Sequence, residues 1–224
     1  MIENQKSTKN YQPKLKVCGL TDLDQIRELV TLNIDFLGFI FYEKSPRYVL
    51  NHLNLKQISE INHQGKVGVF VNESIKGIVE IASEAHLDII QLHGNEDEKY
   101  IKLLRQMIGD NIKIIKVIRI GNQSSDELQK TINQQPTTIN YLLFDTDSKA
   151  FGGTGKTFDW NILNEIKISL PYFLSGGISL ENINQLKTIN QQPFALDINS
   201  KFETEPGIKN VEKISNFKQQ ISNP

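Results

Sequence analysis

"LKVCGLTDLDQIRELV", residues 15–30, changes its hydrophobic rhythm at Leu20. Before that point apolar side chains follow the short period of a strand. Beyond it, Leu23, Ile26, Leu29 and Val30 recur every three to four residues, the spacing of a helix with one buried face. Thr21 is the expected helix cap. One strand feeding one helix is half of a βαβ unit, so the fold depends on how often the pattern returns.

It returns along the whole chain. Further apolar runs are "FLGFIFY" (36–42), "KVGVFVN" (66–72), "LDIIQLHG" (87–94), "KIIKVIRI" (113–120), "NYLLFDTD" (140–147), "PYFLSGG" (171–177) and "PFALDINS" (193–200). Amphipathic stretches such as "SIKGIVEIASEAH", "DEKYIKLLRQMI" and "SLENINQLKTI" separate them, with Ser74, Ser125 and Ser179 as further expected caps. Apolar strands alternating with helices imply a parallel sheet buried on both faces. Eight such units without a composition break specify the α/β class and a single (β/α)8 TIM barrel over residues 14–224. An open doubly wound sheet is the alternative. Residues 1–13, polar and ending at Pro13, read as a flexible tail.

The bulk numbers narrow the function. The chain has 224 residues, 38% hydrophobic and 23% charged, with net charge −1. Such a balance offers no broad basic surface for nucleic acid or an anionic membrane. No apolar run approaches the ~20 residues that span a bilayer. The polar N-terminus lacks the apolar core of a secretory signal, so a cytoplasmic location is expected. A single cysteine excludes an internal disulfide and any thiolate metal cluster. A monomer is expected, with a homodimer the alternative.

In a barrel of this kind the chemistry lies where strands end and βα loops begin. Strand parity puts Leu15 and Val17 toward the helices, and Lys16 and Cys18 inward. The same parity turns Gln91, His93, Ala195, Asp197 and Asn199 inward, and Asp145 closes the sixth run. Cys18 could be a small buried hydrophobe, as most lone cysteines are. Inward Lys16 and the helix start after Thr21 favour its thiolate, burial opposes it, and the attractive effects are expected to win. Asp197 could instead pair with Lys16, Asp147 could serve the loop, and His93 could be structural. Gln91 and His93 join the candidate substrate-binding set.

Two glycine-rich segments follow. "KAFGGTGKTFDW" (149–160) has Ala150 where a nucleotide-binding phosphate loop needs glycine, so it is not an ATP site. Its glycines, Gly155 among them, suit a mobile loop whose backbone approaches a ligand, with a merely flexible surface loop as the alternative. "FLSGGIS" (173–179) places Gly176 and Gly177 between strand seven and a helix expected to open at Ser179. Backbone N–H groups at such a turn bind anions, and the loops after strands seven and eight are a frequent phosphate site. The residues alone therefore point to a cofactor-free barrel enzyme acting on a phosphorylated small molecule, with a Cys and an Asp as candidate acid and base.

"KVCGL", "GFIFYEKSPRYV", "VGVFVN", "IIQLHGNE", "LLFDT", "FGGTGKTFDW", "LSGGI" and "ALDINSKFE…PGIK", in that order, closely resemble the phosphoribosylanthranilate isomerases of tryptophan biosynthesis. The resemblance runs from about Lys14 to the C-terminus. It implies an Amadori rearrangement of N-(5-phosphoribosyl)anthranilate to the carboxyphenylamino-deoxyribulose phosphate, without metal or cofactor. Carried over, the general base falls on Cys18 and the general acid on Asp145. Arg47 would bind the anthranilate carboxylate, Asp197 the sugar, and Gly176, Gly177 and Ser200 the phosphate. Lys201 and Asn210 depart from the residues common in relatives. The rivals are a metal-dependent epimerase, an isomerase with aspartate at the Cys18 position, and a non-catalytic barrel that senses a phosphorylated ligand.

Overall fold

The computed structural model describes residues 11–147 and 157–222. Eight parallel strands close into a barrel in sequence order: β1 (Lys14–Cys18), β2 (Phe36–Ile40), β3 (Lys66–Phe70), β4 (Ile89–Leu92), β5 (Lys113–Ile120), β6 (Tyr141–Thr146), β7 (Tyr172–Leu174) and β8 (Ala195–Ile198). Strand β8 pairs back onto β1, with Lys16 beside Asp197, so no edge is left open. A short antiparallel hairpin, β9 (Glu203–Glu205) and β10 (Ile208–Lys209), follows β8.

Each strand separates two apolar layers. Phe36, Val67, Ile89, Ile115, Val117, Leu143, Phe173 and Ala195 fill the barrel interior. The rings of Phe36 and Phe173 lie tilted with centroids 5.3 Å apart. Leu15, Val17, Leu37, Ile90, Ile114 and Leu142 face the outer layer, where they meet the buried faces of the helices. This is the parity expected from the sequence. It leaves Lys16 and Cys18 of β1 pointing inward, above the apolar plug.

The helices are α1 (Leu23–Thr31), α2 (Leu55–Ser59), α3 (Ile75–Glu84), α4 (Glu98–Ile108), α5 (Ser125–Asn133) and α6 (Val211–Ser222). They differ from the sequence expectation at several caps. Asp22, not Thr21, caps α1, its side chain accepting from the Gln25 N–H at 2.9 Å, and Ser124, not Ser125, caps α5. The helix expected after Ser179 is absent: between β7 and β8 there is only a 3-10 segment, Ile183–Thr188. Asn182 explains the loss. Its side chain accepts from the Ser179 N–H and donates to the Gly177 carbonyl, each at 2.9 Å, so a local turn outcompetes a helical start. A 3-10 segment, Trp160–Asn164, likewise precedes β7.

Tyr11 and Gln12, assigned by composition to the loose tail, are tied to the barrel. The Tyr11 hydroxyl donates to the Pro193 carbonyl at 2.5 Å, and the Gln12 side chain donates to that of Ser222 at 2.7 Å. No helix among the described residues is long and apolar enough to cross a membrane.

Candidate active site

Lys16 is the centre of the inner mouth. Its side chain is fully buried, a costly place for an ammonium unless it is bonded on several sides. Its Nζ donates to Asp197 Oδ2 at 2.8 Å and to Gln91 Oε1 at 2.7 Å. The amide of Gln91 reaches on: its Nε2 lies 3.2 Å from His93 Nδ1. His93 Nε2 in turn lies 3.4 Å from Asp145 Oδ2, within ion-pair reach but without hydrogen-bond alignment, so this nitrogen is buried and has no hydrogen-bond partner among the described residues. Asp145 Oδ1 accepts from the Thr146 N–H at 2.9 Å. The second oxygen of Asp197 is buried without a hydrogen-bond partner among the described residues.

Cys18 occupies the end of β1 beside this chain. Room for it comes from Gly38, its register partner on β2, where an added Cβ would stand 3.0 Å from Sγ. The thiol does not behave as the sequence suggested. Burial pushes its pKa up; Lys16 and Lys209 pull it down, while Asp197 raises it further, and the net shift is upward. Burial is the main reason, and pairing limits what the nearby cations can offset. Lys16 is bonded to Asp197 and Lys209 to Glu203, so each cation near the sulfur brings its own anion. Asp22 at the N-terminus of α1 likewise offsets the helix dipole. Lys16 itself is lowered by burial but raised more strongly by Asp197 and Cys18, which keeps it a cation.

Arg47 lies on the loop after β2, largely buried. Its Nε donates to both oxygens of Glu203, at 2.9 and 3.0 Å, and its Nη2 to Oε2 at 2.6 Å. Glu203 also accepts from Lys209 Nζ at 2.6 Å and from the Gly207 N–H at 3.1 Å. Burial raises the Glu203 carboxyl, but the bonds from Arg47 and Lys209 outweigh it and hold the group below the ordinary carboxylate range. Lys209 Nζ donates further to Asn199 Oδ1 at 2.8 Å. The stem of Arg47 passes over Gly19, where a Cβ would come within 2.6 Å of its Cδ. Glycine is therefore needed at the turn that follows Cys18.

The expected phosphate residues sit on adjacent strands' loops, since β7 pairs with β8. Gly176 and Gly177 have φ of 87° and 67°, the left-handed region. Gly176 packs against β6: a Cβ there would stand 2.4 Å from Thr146 Oγ1 and 3.2 Å from Asp145 Oδ1. Ser200 opens a 3-10 turn, Ser200–Phe202, directly before β9. Near Ser179, the expected helix start, the structure thus has a glycine turn instead. Gly155 lies outside the described residues.

Among the expected site residues, Cys18, Gln91, His93, Asp145 and Asp197 meet around Lys16, and Arg47 stands across the β1 end from them. Glu203 and Lys209 were assigned no role from sequence. Strand parity ends at β8, and nothing in "KFETEPGIK" shows which charge turns back over the mouth. Among the described residues no cluster of three or more His, Cys, Asp or Glu is placed to hold a metal.

A closed parallel barrel with buried polar groups converging on its C-terminal strand ends defines a (β/α)8-barrel enzyme. Residues 15–220 match the family model described as N-(5'phosphoribosyl)anthranilate (PRA) isomerase. The N-(5'-phosphoribosyl)anthranilate isomerase of Parabacteroides distasonis is 40% identical over 213 residues, covering 94% of each chain. Phosphoribosyl anthranilate isomerase from Thermotoga maritima superposes with a TM-score of 0.76 at 29% identity, over 95% of this chain and all of that one. A further PRA isomerase structure, in complex with reduced 1-(o-carboxyphenylamino)-1-deoxyribulose 5-phosphate, aligns with a TM-score of 0.74 at 26% identity, over 95% of this chain and 100% of that one. The chain belongs to the N-(5'-phosphoribosyl)anthranilate isomerase family.

Proposed function

We propose that this isomerase converts N-(5-phosphoribosyl)anthranilate to 1-(2-carboxyphenylamino)-1-deoxyribulose 5-phosphate in tryptophan biosynthesis, with Asp145 as general acid and Cys18 as general base. What carries this reading is the meeting of one thiol and one carboxyl at the strand ends of a single mouth, in a chain of this family. Asp145 gives its proton to the ribose ring oxygen as the C1–O bond breaks. The anilino nitrogen lone pair becomes the C=N bond of a Schiff base, which acidifies the neighbouring C2–H. The Cys18 thiolate takes that proton and leaves an enolamine, which tautomerises to the ketose. Acid and base suffice for every step as written.

Arg47 binds the anthranilate carboxylate. Glu203 occupies the Nε edge of the guanidinium, so the substrate takes donors at its far end. The unpartnered Asp197 Oδ1 accepts from a sugar hydroxyl. The glycine turn at Gly176 and Gly177, with Ser200, receives the phosphate, and Gly155 is assigned to the same substrate from sequence alone. Inorganic phosphate then competes with substrate.

Incubation of the purified protein with N-(5-phosphoribosyl)anthranilate tests the function. Conversion to the ketose supports it; binding without turnover points to the ligand-sensing alternative.

A further inference from the structure

The buried chain between Lys16 and Asp145 has a directional logic that hydrogen-bond chemistry alone sets. A lysine ammonium has three donors and no acceptor. The oxygen of the Gln91 amide must therefore face Lys16, 2.7 Å away, and its NH2 group must face His93 Nδ1, 3.2 Å away. An NH2 group can only donate. Nδ1 must then be the unprotonated nitrogen, because a hydrogen there would point at the hydrogens of the amide. The ring proton is left on Nε2, the atom facing Asp145 Oδ2 at 3.4 Å. Asp197 completes the arrangement by holding Lys16 from the other side at 2.8 Å.

We propose that Lys16 and Gln91 are positioning residues that lock His93 in the Nε2–H tautomer, so that its N–H supports Asp145 as that carboxyl delivers its proton. This rests on the assignment of Asp145 as the acid. Before proton transfer Asp145 is neutral and gains little from His93. As the ring oxygen takes the proton, negative charge grows on Asp145; the Thr146 N–H already bonds Oδ1, and the growing charge draws the Nε2–H, 3.4 Å away and not aligned in this structure, onto Oδ2. Such a donor is worth most in the transition state, so its loss lowers kcat and leaves KM nearly unchanged. The amide in the middle does not pass protons along; it fixes orientation.

Gln91→Glu is the decisive variant because it keeps the side-chain shape but replaces the NH2 donor with an acceptor. One oxygen still accepts from Lys16, and the other now demands a hydrogen on Nδ1, which reverses the tautomer. With four histidines in the chain, 15N NMR of the ring nitrogens assigns His93 by its loss in His93→Asn. The expected result is Nε2–H in the parent and Nδ1–H in Gln91→Glu. A kcat loss on the order of tenfold to a hundredfold is expected alongside, with KM within about threefold. Nδ1–H in the parent overturns the proposal. So does a reversed tautomer with full kcat, or a lost kcat with no reversal, which would assign the effect to the added charge beside Asp197. Should Gln91→Glu fail to fold, Gln91→Met removes the donor without adding charge and must give a mixture of tautomers; a single parent-like tautomer there also overturns it. If Asp145→Asn keeps full activity, the acid assignment fails, yet the tautomer result still stands on its own.

Discussion

The two halves of the mouth are built differently. On the acid side every group belongs to a strand or stands one residue beyond it: Lys16 on β1, Gln91 on β4, His93 just after it, Asp145 on β6 and Asp197 on β8. On the carboxylate side Arg47 comes from a loop, and Glu203 and Lys209 come from the β9–β10 hairpin. A strand side chain is aimed by the pleat and the register. A loop side chain is aimed only by what it touches, and an arginine on a loop needs a fixed partner to hold one orientation. Glu203 supplies that partner. Both halves share one device, a buried cation matched with a buried carboxylate. The mouth therefore holds several charges close to the thiol, each cation with a carboxylate partner.

The largest effects are expected on the acid–base pair. Asp145→Asn and Cys18→Ala should each fold and each lose about 10²–10⁴-fold in kcat, the usual worth of a positioned acid or base. Circular dichroism and thermal melts confirm the fold. Near-parent kcat in either variant would remove the strand-borne half from the chemistry, with Asp147 the next acid to test. For Cys18→Ala that result would leave the lone cysteine as packing.

On the loop-borne half the effect should fall on KM. If Arg47 binds the substrate carboxylate as proposed, Arg47→Ala removes a charged, geometrically matched contact, a loss of about 1.5–3 kcal/mol, or roughly ten- to a hundredfold in KM. Arg47→Lys should recover only part of this, since an ammonium cannot serve Glu203 and a carboxylate with one planar fork. A variant that loses thermal stability but keeps its KM would mark Arg47 as a structural residue of the loop.

Glu203→Gln sharpens the contrast further. The amide keeps the shape of the partner but loses the charge that holds Arg47 and Lys209. KM should rise by about tenfold, with kcat largely kept. The melting temperature should also fall, because Lys209 remains buried without its anion. An unchanged KM would mean that Arg47 finds its orientation without help.

The same division explains what the sequence revealed. Period-two alternation in "LKVCGL" and "LDIIQLHG" was enough to turn Lys16, Cys18 and Gln91 inward, and the recurrence of strand and helix was enough to count the barrel. Asn182 escaped notice because a side-chain turn competes locally with a helix whose apolar spacing looks sound. Glu203 and Lys209 escaped because a hairpin's direction over the mouth follows from tertiary packing, here Gly207 seated against Thr21, whose hydroxyl donates to the Gly207 carbonyl at 2.9 Å. The upward shift at Cys18 is hidden in the sequence for a related reason. Lys16 is adjacent in sequence, whereas the burial that outweighs it and the Asp197 carboxylate that opposes it come only with the closure of β8 on β1.

The upward shift at Cys18 yields the smallest expected effect. With burial ahead of the paired charges, Cys18 is mostly a thiol at neutral pH. Iodoacetamide should label it more slowly than a free model thiol at pH 7. The rate should climb only at alkaline pH, beyond the ordinary thiol range of about 8.5. The rate constant kcat/KM should rise in the same direction, since the proposed base is the thiolate. Asp197→Asn tests the cause. Removing this carboxylate takes away a charge that opposes the thiolate and leaves Lys16 free to pair with the sulfur. The labelling profile should then move to lower pH, whatever the variant does to substrate binding. Labelling faster than the model thiol in the parent would restore the thiolate reading taken from Lys16 alone. A profile unmoved by Asp197→Asn would show that burial by itself sets the state of Cys18, and that the paired charges of the strand-borne half do not reach it.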